Sequence, residues 1–224
     1  GSGAEILERQ LNPDSRRKLR RKERNLAKLP GFRYHRASTR EEVDRYFSAF
    51  MAQKAARLEA RGIKNAFAEQ GVEGFLRAAC LTGLSGGEPL LEIHVLECEG
   101  DVLALFAGVH DRTCFSTMFN SYTLTEQSRW SPGFILLLKL VEDCAGRGFK
   151  TLDLGVGAAE YKSLLCDIEA RQFDSFVGLS PQGRMLALAL RTAYSAKGVI
   201  KRNPALWNFA SQVRAKLKAP KAKA

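Results

Sequence analysis

The sequence predicts an α+β fold in which a mixed, largely antiparallel sheet is flanked by helices. Three observations carry that expectation. Helical periodicity with clear start and stop signals dominates residues 12–82. From Leu90 the apolar period shortens to two. The runs LLEIHVLEC, DVLALFAGVH and CFSTMFNSYTL then follow one another across the turns Glu99-Gly100-Asp101 and Asp111-Arg112, the pattern of an antiparallel meander. Finally, residues 129–165 read as helix, buried strand and helix, a crossover that adds one more strand to the meander.

Gly1, Ser2 and Gly3 read as a cloning remnant and are set aside. Residues 4–30 form a basic helical segment. Asn12 is a good cap, Pro13 suits the first turn, Asp14 suits the helix dipole, and the helix should reach Lys28 before Pro30-Gly31 stops it. Only Leu19, Leu26 and Leu29 make an apolar stripe there, so the remainder is a basic surface.

Residues 31–180 make the core domain. FRYHRA (32–37) alternates as a short strand. Ser38 and Glu41 read as a capping box for a helix whose Val43, Phe47, Phe50, Met51, Lys54 and Leu58 share one face up to Gly62. A third helix over about 66–82 should bury Phe67, Phe75, Leu76 and Ala79. After the meander, Ser131 reads as the cap of a helix with Pro132 at its first position. Phe134, Leu137, Leu138, Val141 and Ala145 follow its apolar spacing, and Gly146 and Gly148 end it. TLDLGV is then a short apolar strand opening into a glycine turn, with a helix from Ala159, and ARQFDSFVGLS (170–180) alternates as a further strand. Residues 181–224 hold C-terminal helices and a basic tail: one helix from Pro181 to about Ala196, another over 204–218 packing Leu206, Trp207, Phe209, Ala210 and Val213.

A chain of 224 residues with 45 % hydrophobic content can bury one good core. No secretory signal is visible, and the longest apolar run, FILLLKLV, is too short to span a bilayer. Five scattered cysteines without a C-x-x-C pair argue against a zinc site and for reduced thiols in a cytosolic protein. The net charge of +11 is unevenly placed: residues 9–28 carry nine Lys or Arg against Asp14 and Glu23, and residues 175–224 contain no acid. Such ends concentrate anionic partners such as nucleotide sugars, CoA, tRNA, other nucleic acids or lipid head groups, or they serve solubility alone.

A strand feeding a glycine turn, beside a helix with free N-terminal amides, is a common way to hold an anionic cofactor. His94 and Glu92 share a strand face and could form a base with its orienter. Asn120 and Tyr122 share a face near the end of the third meander strand. No G-x-S-x-G motif and no Cys–His pairing is visible, which favours direct transfer over a covalent intermediate.

The set S-P-G…L-L…G…D-L-G-x-G…Y-K (Ser131, Pro132, Gly133, Leu137, Leu138, Gly148, Asp153, Leu154, Gly155, Gly157, Tyr161, Lys162) resembles the GNAT-type acyltransferase domain of FemAB-like and cellulose-biosynthesis acetyltransferase proteins. L-N-P-D-S-R-R-K-L-R-R-K-E-R-N-L (11–26) is similar to the basic helix that opens that domain, so the resemblance covers about residues 11–167. The Y-K pair is its most specific part. The phosphate loop of typical GNAT enzymes, Q/R-x-x-G-x-G/A, is absent, and R-W-S-P-G (129–133) stands in its place.

The resemblance implies an acyltransferase moving an acetyl, other acyl or aminoacyl group onto an amine or hydroxyl. The donor would be acetyl-CoA, another acyl-CoA or an aminoacyl-tRNA, with no metal. The acceptor would be a sugar, nucleotide sugar or lipid-linked cell-envelope or exopolysaccharide precursor, handled in the bacterial cytoplasm at the inner face of the membrane. Two such domains occur in FemAB-like proteins, and this chain matches the C-terminal one. The expected roles are a cation for a phosphate or growing oxyanion at Lys162, an acid or acceptor-orienting group at Tyr161, and a proton acceptor at Asp153. Ser131 and Gly133 would bind the donor's phosphates beside the turn glycines Gly155 and Gly157, and Asn120 and Tyr122 would touch the acceptor. The rival expectation is a degenerate module of the same fold that binds nucleic acid or a nucleotide second messenger through its basic ends without turnover. A nucleotide or tRNA on the N-terminal helix, and peripheral membrane contact, fit either.

Overall fold

The structure is a computed structural model and describes residues 2–157 and 159–203. The chain divides into two compact units, Gly1–Ile168 and Glu169–Ala224, so the division falls before the 170–180 segment.

The first unit is built on five strands in the order β1 (Arg33–Arg36), β2 (Glu92–Cys98), β3 (Asp101–His110), β4 (Cys114–Tyr122) and β5 (Thr151–Asp153). The first four are antiparallel and β5 runs parallel to β4. Between β2 and β3 the hairpin is tight: Glu99 and Gly100 both take positive φ, which gives a two-residue turn the right-handed twist that the strands need.

Helices cover both faces. On one lie α3 (Arg40–Ala60) and α4 (Val72–Leu81), and Tyr46, Phe47 and Phe50 of α3 are fully buried against Ile93, Val95, Leu105 and Phe119. Each of these aromatics contributes about 2–3 kcal/mol by leaving water. On the other lie α2 (Pro13–Leu26) and α5 (Pro132–Gly146), where Leu26, Ile135, Leu136 and Leu140 pack on Leu96, Leu103, Phe106 and Phe115.

Several local expectations are corrected. An unexpected helix, α1 (Gly3–Gln10), precedes α2: Ser2 caps it in a capping box with Glu5, and Gly3 is buried so close to Glu142 that a side chain would collide with its backbone. Thr39, not Ser38, caps α3, because its hydroxyl accepts from Glu42 N–H while the Glu42 carboxylate returns to Ser38. The third helix starts only at Val72. Gly71, with φ +82°, separates it from a short turn, and Phe75 is exposed. Of the expected α5 stripe Leu137 is fully buried, while Phe134, Leu138, Val141 and Ala145 are half-buried and the rest of the buried face includes Ile135, Leu136, Leu140 and Cys144. The expected stripe misses most of that face, because α5 is apolar on more than one side.

The second unit is described to Asn203. The alternating segment 170–180 forms no strand, and a helix α7 runs from Pro181 to Arg202, past the expected end near Ala196. Alternation fixes which side chains share a face, but a strand also needs a partner edge. The expected helix over 204–218 lies outside the described residues.

Candidate active site

The sheet opens between β4 and β5. Only Cys114, Phe115 and Ser116 of β4 pair with β5, opposite Thr151, Leu152 and Asp153. On its other edge β4 stays paired with β3 to Tyr122, but the register slips so that Ala107 faces Phe119 and Gly108 faces Thr117. Met118 is therefore an extra residue, a β-bulge, placed where β4 leaves β5. Gly108 makes the bulge feasible, since a Cβ there would lie 2.5 Å from the Ser116 carbonyl oxygen and from the Phe115 ring. Past Ser116 this edge of β4 has no strand partner among the described residues and faces the turn that follows β5. Gly155 of that turn has φ +72° and comes so near that a Cβ would be 3.3 Å from Thr117 O. The result is a wedge at the carboxyl ends of two parallel strands, the usual place for a ligand in such sheets.

The start of α5 leads from the same ends of the strands. Ser131 is at the cap position, but its backbone is left-handed (φ 54°, ψ 53°) and its side chain makes no cap hydrogen bond. Its hydroxyl instead accepts from Lys22 Nζ of α2 at 2.7 Å. The expectation of an N-cap side chain is thus corrected. A Ser in this conformation costs about 1 kcal/mol, and the helix dipole is left without a side-chain cap and with an ammonium group beside it. Gly133, one residue in, faces the Tyr122 ring, to which a Cβ would approach within 3.2 Å.

The glycine turn is closed from inside. Asp153 Oδ1 accepts from Gly155 N–H at 2.7 Å, and Lys162 Nζ donates to Gly155 O at 2.7 Å and Val156 O at 3.2 Å. Asp153 and Lys162 therefore shape the turn, and the Lys162 ammonium lies on carbonyls of its own chain rather than projecting alone. Lys162 stands on α6 (Glu160–Leu165), whose Tyr161 packs into the α5-side core. Burial, with the nearby Cys166, raises the Tyr161 hydroxyl above its ordinary range, although a hydrogen bond from the Asn120 side chain opposes this. Tyr161 and Asn120, singled out separately in the sequence, meet across the wedge. Gly157 has φ +105° and no close neighbour.

From the other face of the sheet, α3 reaches the same end of β4. Lys54 Nζ donates to Asn120 O at 3.0 Å, and burial together with the Arg57 charge lowers its pKa. Arg57 stacks on Tyr122, its guanidinium carbon 4.0 Å from the ring centre. Tyr122 is thus held between Arg57 and the start of α5. Sequence reasoning missed Lys22, Lys54, Arg57, Gly108 and Thr117 as site residues. Only Lys54 carried a signal, as a lysine inside an otherwise apolar helix face.

His94 and Glu92 do share a face, but near the opposite end of α5. Glu92 is buried and takes both guanidinium nitrogens of Arg147 at 2.7 and 2.8 Å, with His110 Nε2 at 3.0 Å. His94 is fully buried: Nδ1 meets Tyr34 OH at 2.9 Å, and Nε2 lies 3.3 Å from Glu92 without a hydrogen bond of good geometry. Burial alone would push Glu92 up, but His94 and Arg147 together outweigh it and hold the carboxyl far below the usual carboxylate range. An ionised carboxylate could still orient a base, but His94 is fully buried with Nδ1 on Tyr34, so it has no open side toward a substrate. This is a structural ion cluster, not a base with its orienter.

All five cysteines are unpaired, and burial pushes the thiols of Cys80 and Cys144 up to about 12. Among the described residues no cluster of three or more His, Cys, Asp or Glu could hold a metal ion, and no helix is long and apolar enough to cross a membrane.

The first unit is thus an open, mostly antiparallel sheet with a wedge between parallel β4 and β5, beside the start of the crossover helix. The family model described as acetyltransferase (GNAT) domain matches residues 13–163, from the first turn of α2 through Tyr161 and Lys162. The chain belongs to this family. Solved structures similar to it include an aminoglycoside acetyltransferase from an uncultured soil metagenomic sample, in complex with trehalose. That likeness has 11 % identity, TM-score 0.46, and covers 66 % of this chain and 97 % of that one. Another is a predicted acetyltransferase with acetyl-CoA from Clostridium acetobutylicum, with 14 % identity, TM-score 0.44, covering 66 % and 96 %. No curated protein matches the chain.

Proposed function

We propose that this chain is an N- or O-acyltransferase of the FemAB-like branch of its family, using an acyl-CoA donor and a sugar-type acceptor at the cytoplasmic face of a bacterial membrane. The wedge carries the reading: three residues of β4–β5 pairing, then a bulge and an edge with no strand partner among the described residues. The acyl-CoA donor is favoured over an aminoacyl-tRNA because the Gly133 N–H at the α5 start, with the Lys22 ammonium nearby, suits a pyrophosphate. The sugar acceptor rests on the resemblance alone, and the Arg57–Tyr122 stack offers it a flat, polar-edged surface.

In this reading the bound thioester supplies an activated acyl carbon. Those N–H groups of β4 beyond Ser116 that point away from β3 polarise its carbonyl oxygen. Attack by the acceptor forms the C–N or C–O bond as the C–S bond breaks. Tyr161, neutral because burial raises its pKa, holds the proton the leaving sulfur needs, and the proton lost by the acceptor restores it. Asn120 orients that hydroxyl, while Asp153 and Lys162 hold the turn.

Thiol release is measured with acetyl-CoA and a panel of amino sugars. Tyr161→Phe is expected to lower kcat about a hundredfold with little change in KM for the donor. Lys162→Met is expected to raise the donor KM about tenfold by loosening the turn. Wild-type kcat in Tyr161→Phe would remove Tyr161 from the chemistry. A melting temperature that acetyl-CoA does not raise would reject the donor site itself.

A further inference from the structure

Leu19, Lys22 and Leu26 of α2 face the body of the fold, and a different face of the same helix is arginine-rich. Arg16, Arg17, Arg20 and Arg24 line an open groove of about 710 Å³ that has Phe32 on its wall. Arg17, Arg20 and Arg24 are exposed, and among the described residues none of the three has a carboxylate partner. Arg16 is tied to Glu8 through one terminal nitrogen at 2.8 Å, but its Nε is buried and has no acceptor. Glu23, the acid of the lining, is neutralised by Lys139 at 2.8 Å.

This spacing limits the ligand. Arg17, Arg20 and Arg24 are spread along about 10 Å of helix, so their charges do not converge on one phosphate. A row of cations beside an aromatic ring suits a chain of spaced phosphates with a base against the ring. We propose that the α2 groove binds a single-stranded polynucleotide, with its phosphodiesters on Arg17, Arg20 and Arg24 and one base stacked on Phe32. The site is separate from the acyl-donor wedge, and the inference does not depend on acyl transfer.

The test uses the full chain and a fluorescein-labelled uridine oligonucleotide, followed by anisotropy through a salt series. The wild type should bind with affinity that falls steeply as salt rises. Arg17→Glu/Arg20→Glu/Arg24→Glu should weaken binding about a hundredfold and flatten the salt dependence. Phe32→Ala should weaken it about tenfold and leave the salt slope unchanged. An equal charge change off the groove, Arg9→Glu/Lys18→Glu/Arg21→Glu, should cost less than about threefold. A deoxyuridine oligonucleotide that binds equally means the backbone is read as such, and weaker binding means the 2′-hydroxyl also contributes; both support the groove. The proposal is overturned if the off-groove variant loses as much as the groove variant. It is also overturned if CoA displaces the oligonucleotide, or if anionic vesicles bind where the oligonucleotide does not.

Discussion

The two ends of α5 are built on opposite terms. At its carboxyl end a buried glutamate is held by both terminal nitrogens of Arg147 and by His110, with His94 packed alongside. At its amino end Ser131 gives up the capping role, takes a left-handed backbone, and hands its hydroxyl to Lys22. The first end has the denser collection of ionisable side chains, and nothing in it is left to react. The second has few: Ser131, Phe134 and Ile135 N–H are bonded within the turn and helix and Pro132 has none, so among the described residues Gly133 N–H and the β4 edge past Ser116 are what stays open. Unsatisfied backbone polarity marks the candidate site here better than a cluster of histidines does.

Breaking the closed end should have the largest effect. Arg147→Met leaves Glu92 buried without its bidentate partner and is expected to cost about 3 kcal/mol of stability, read by urea denaturation. Donor binding by the folded fraction should be unchanged. A loss below about 1 kcal/mol would mean that water reaches Glu92 freely. The same end dictates the acid response. Because the folded-state pKa of Glu92 is depressed, its contribution is fully present above the unfolded carboxyl pKa near 4.5 and is lost as pH falls below it. Stability should therefore fall on acidification through that point, and Glu92→Gln, already weaker, should show a flatter profile. Equal slopes in the two proteins would show that other carboxylates govern the response.

The open end gives the intermediate effect. Gly133→Glu adds a like charge at the proposed phosphate position, and its Cβ must push the Tyr122 ring aside. CoA affinity should drop at least tenfold, about 1.4 kcal/mol, by calorimetry on folded protein. Unchanged binding would move the donor elsewhere. The smallest effect should come from Ser131→Gly. It relieves the left-handed serine but loses the Lys22 contact, so stability should change by less than about 0.5 kcal/mol. A loss near 2 kcal/mol would show that Ser131 caps the helix after all.

How far the sequence carried the reading depends on what each signal measures. Period two located β2, β3 and β4, and the helix–strand–helix pattern of 129–165 located β5, whose place beside β4 only the structure shows. The Y-K pair led to Tyr161 and Lys162, and shared strand parity led to Asn120 and Tyr122. These are properties of one element at a time. Lys22 meets Ser131 across 109 residues, and Arg57 finds Tyr122 only once α3 lies on the sheet. The bulge at Met118 is a matter of register between two strands, which no spacing within β4 reveals. Phe75 misled for the converse reason: it fits its helix's apolar period, yet no neighbour covers it.

The brevity of the β4–β5 ladder also bears on the order in which the molecule assembles. β2, β3 and β4 are neighbours in the chain and close through tight turns, so they can form early. β5 must wait for the whole crossover to return, pairing Thr151 with Cys114, and is then held by three residues of ladder. The amides of β5 should accordingly exchange with solvent through small local openings, well before those of β3, which only global unfolding exposes. Hydrogen exchange resolved to single amides would show it, and equal protection of the two strands would refute it. The wedge is then the last part of the sheet to form and the first to breathe.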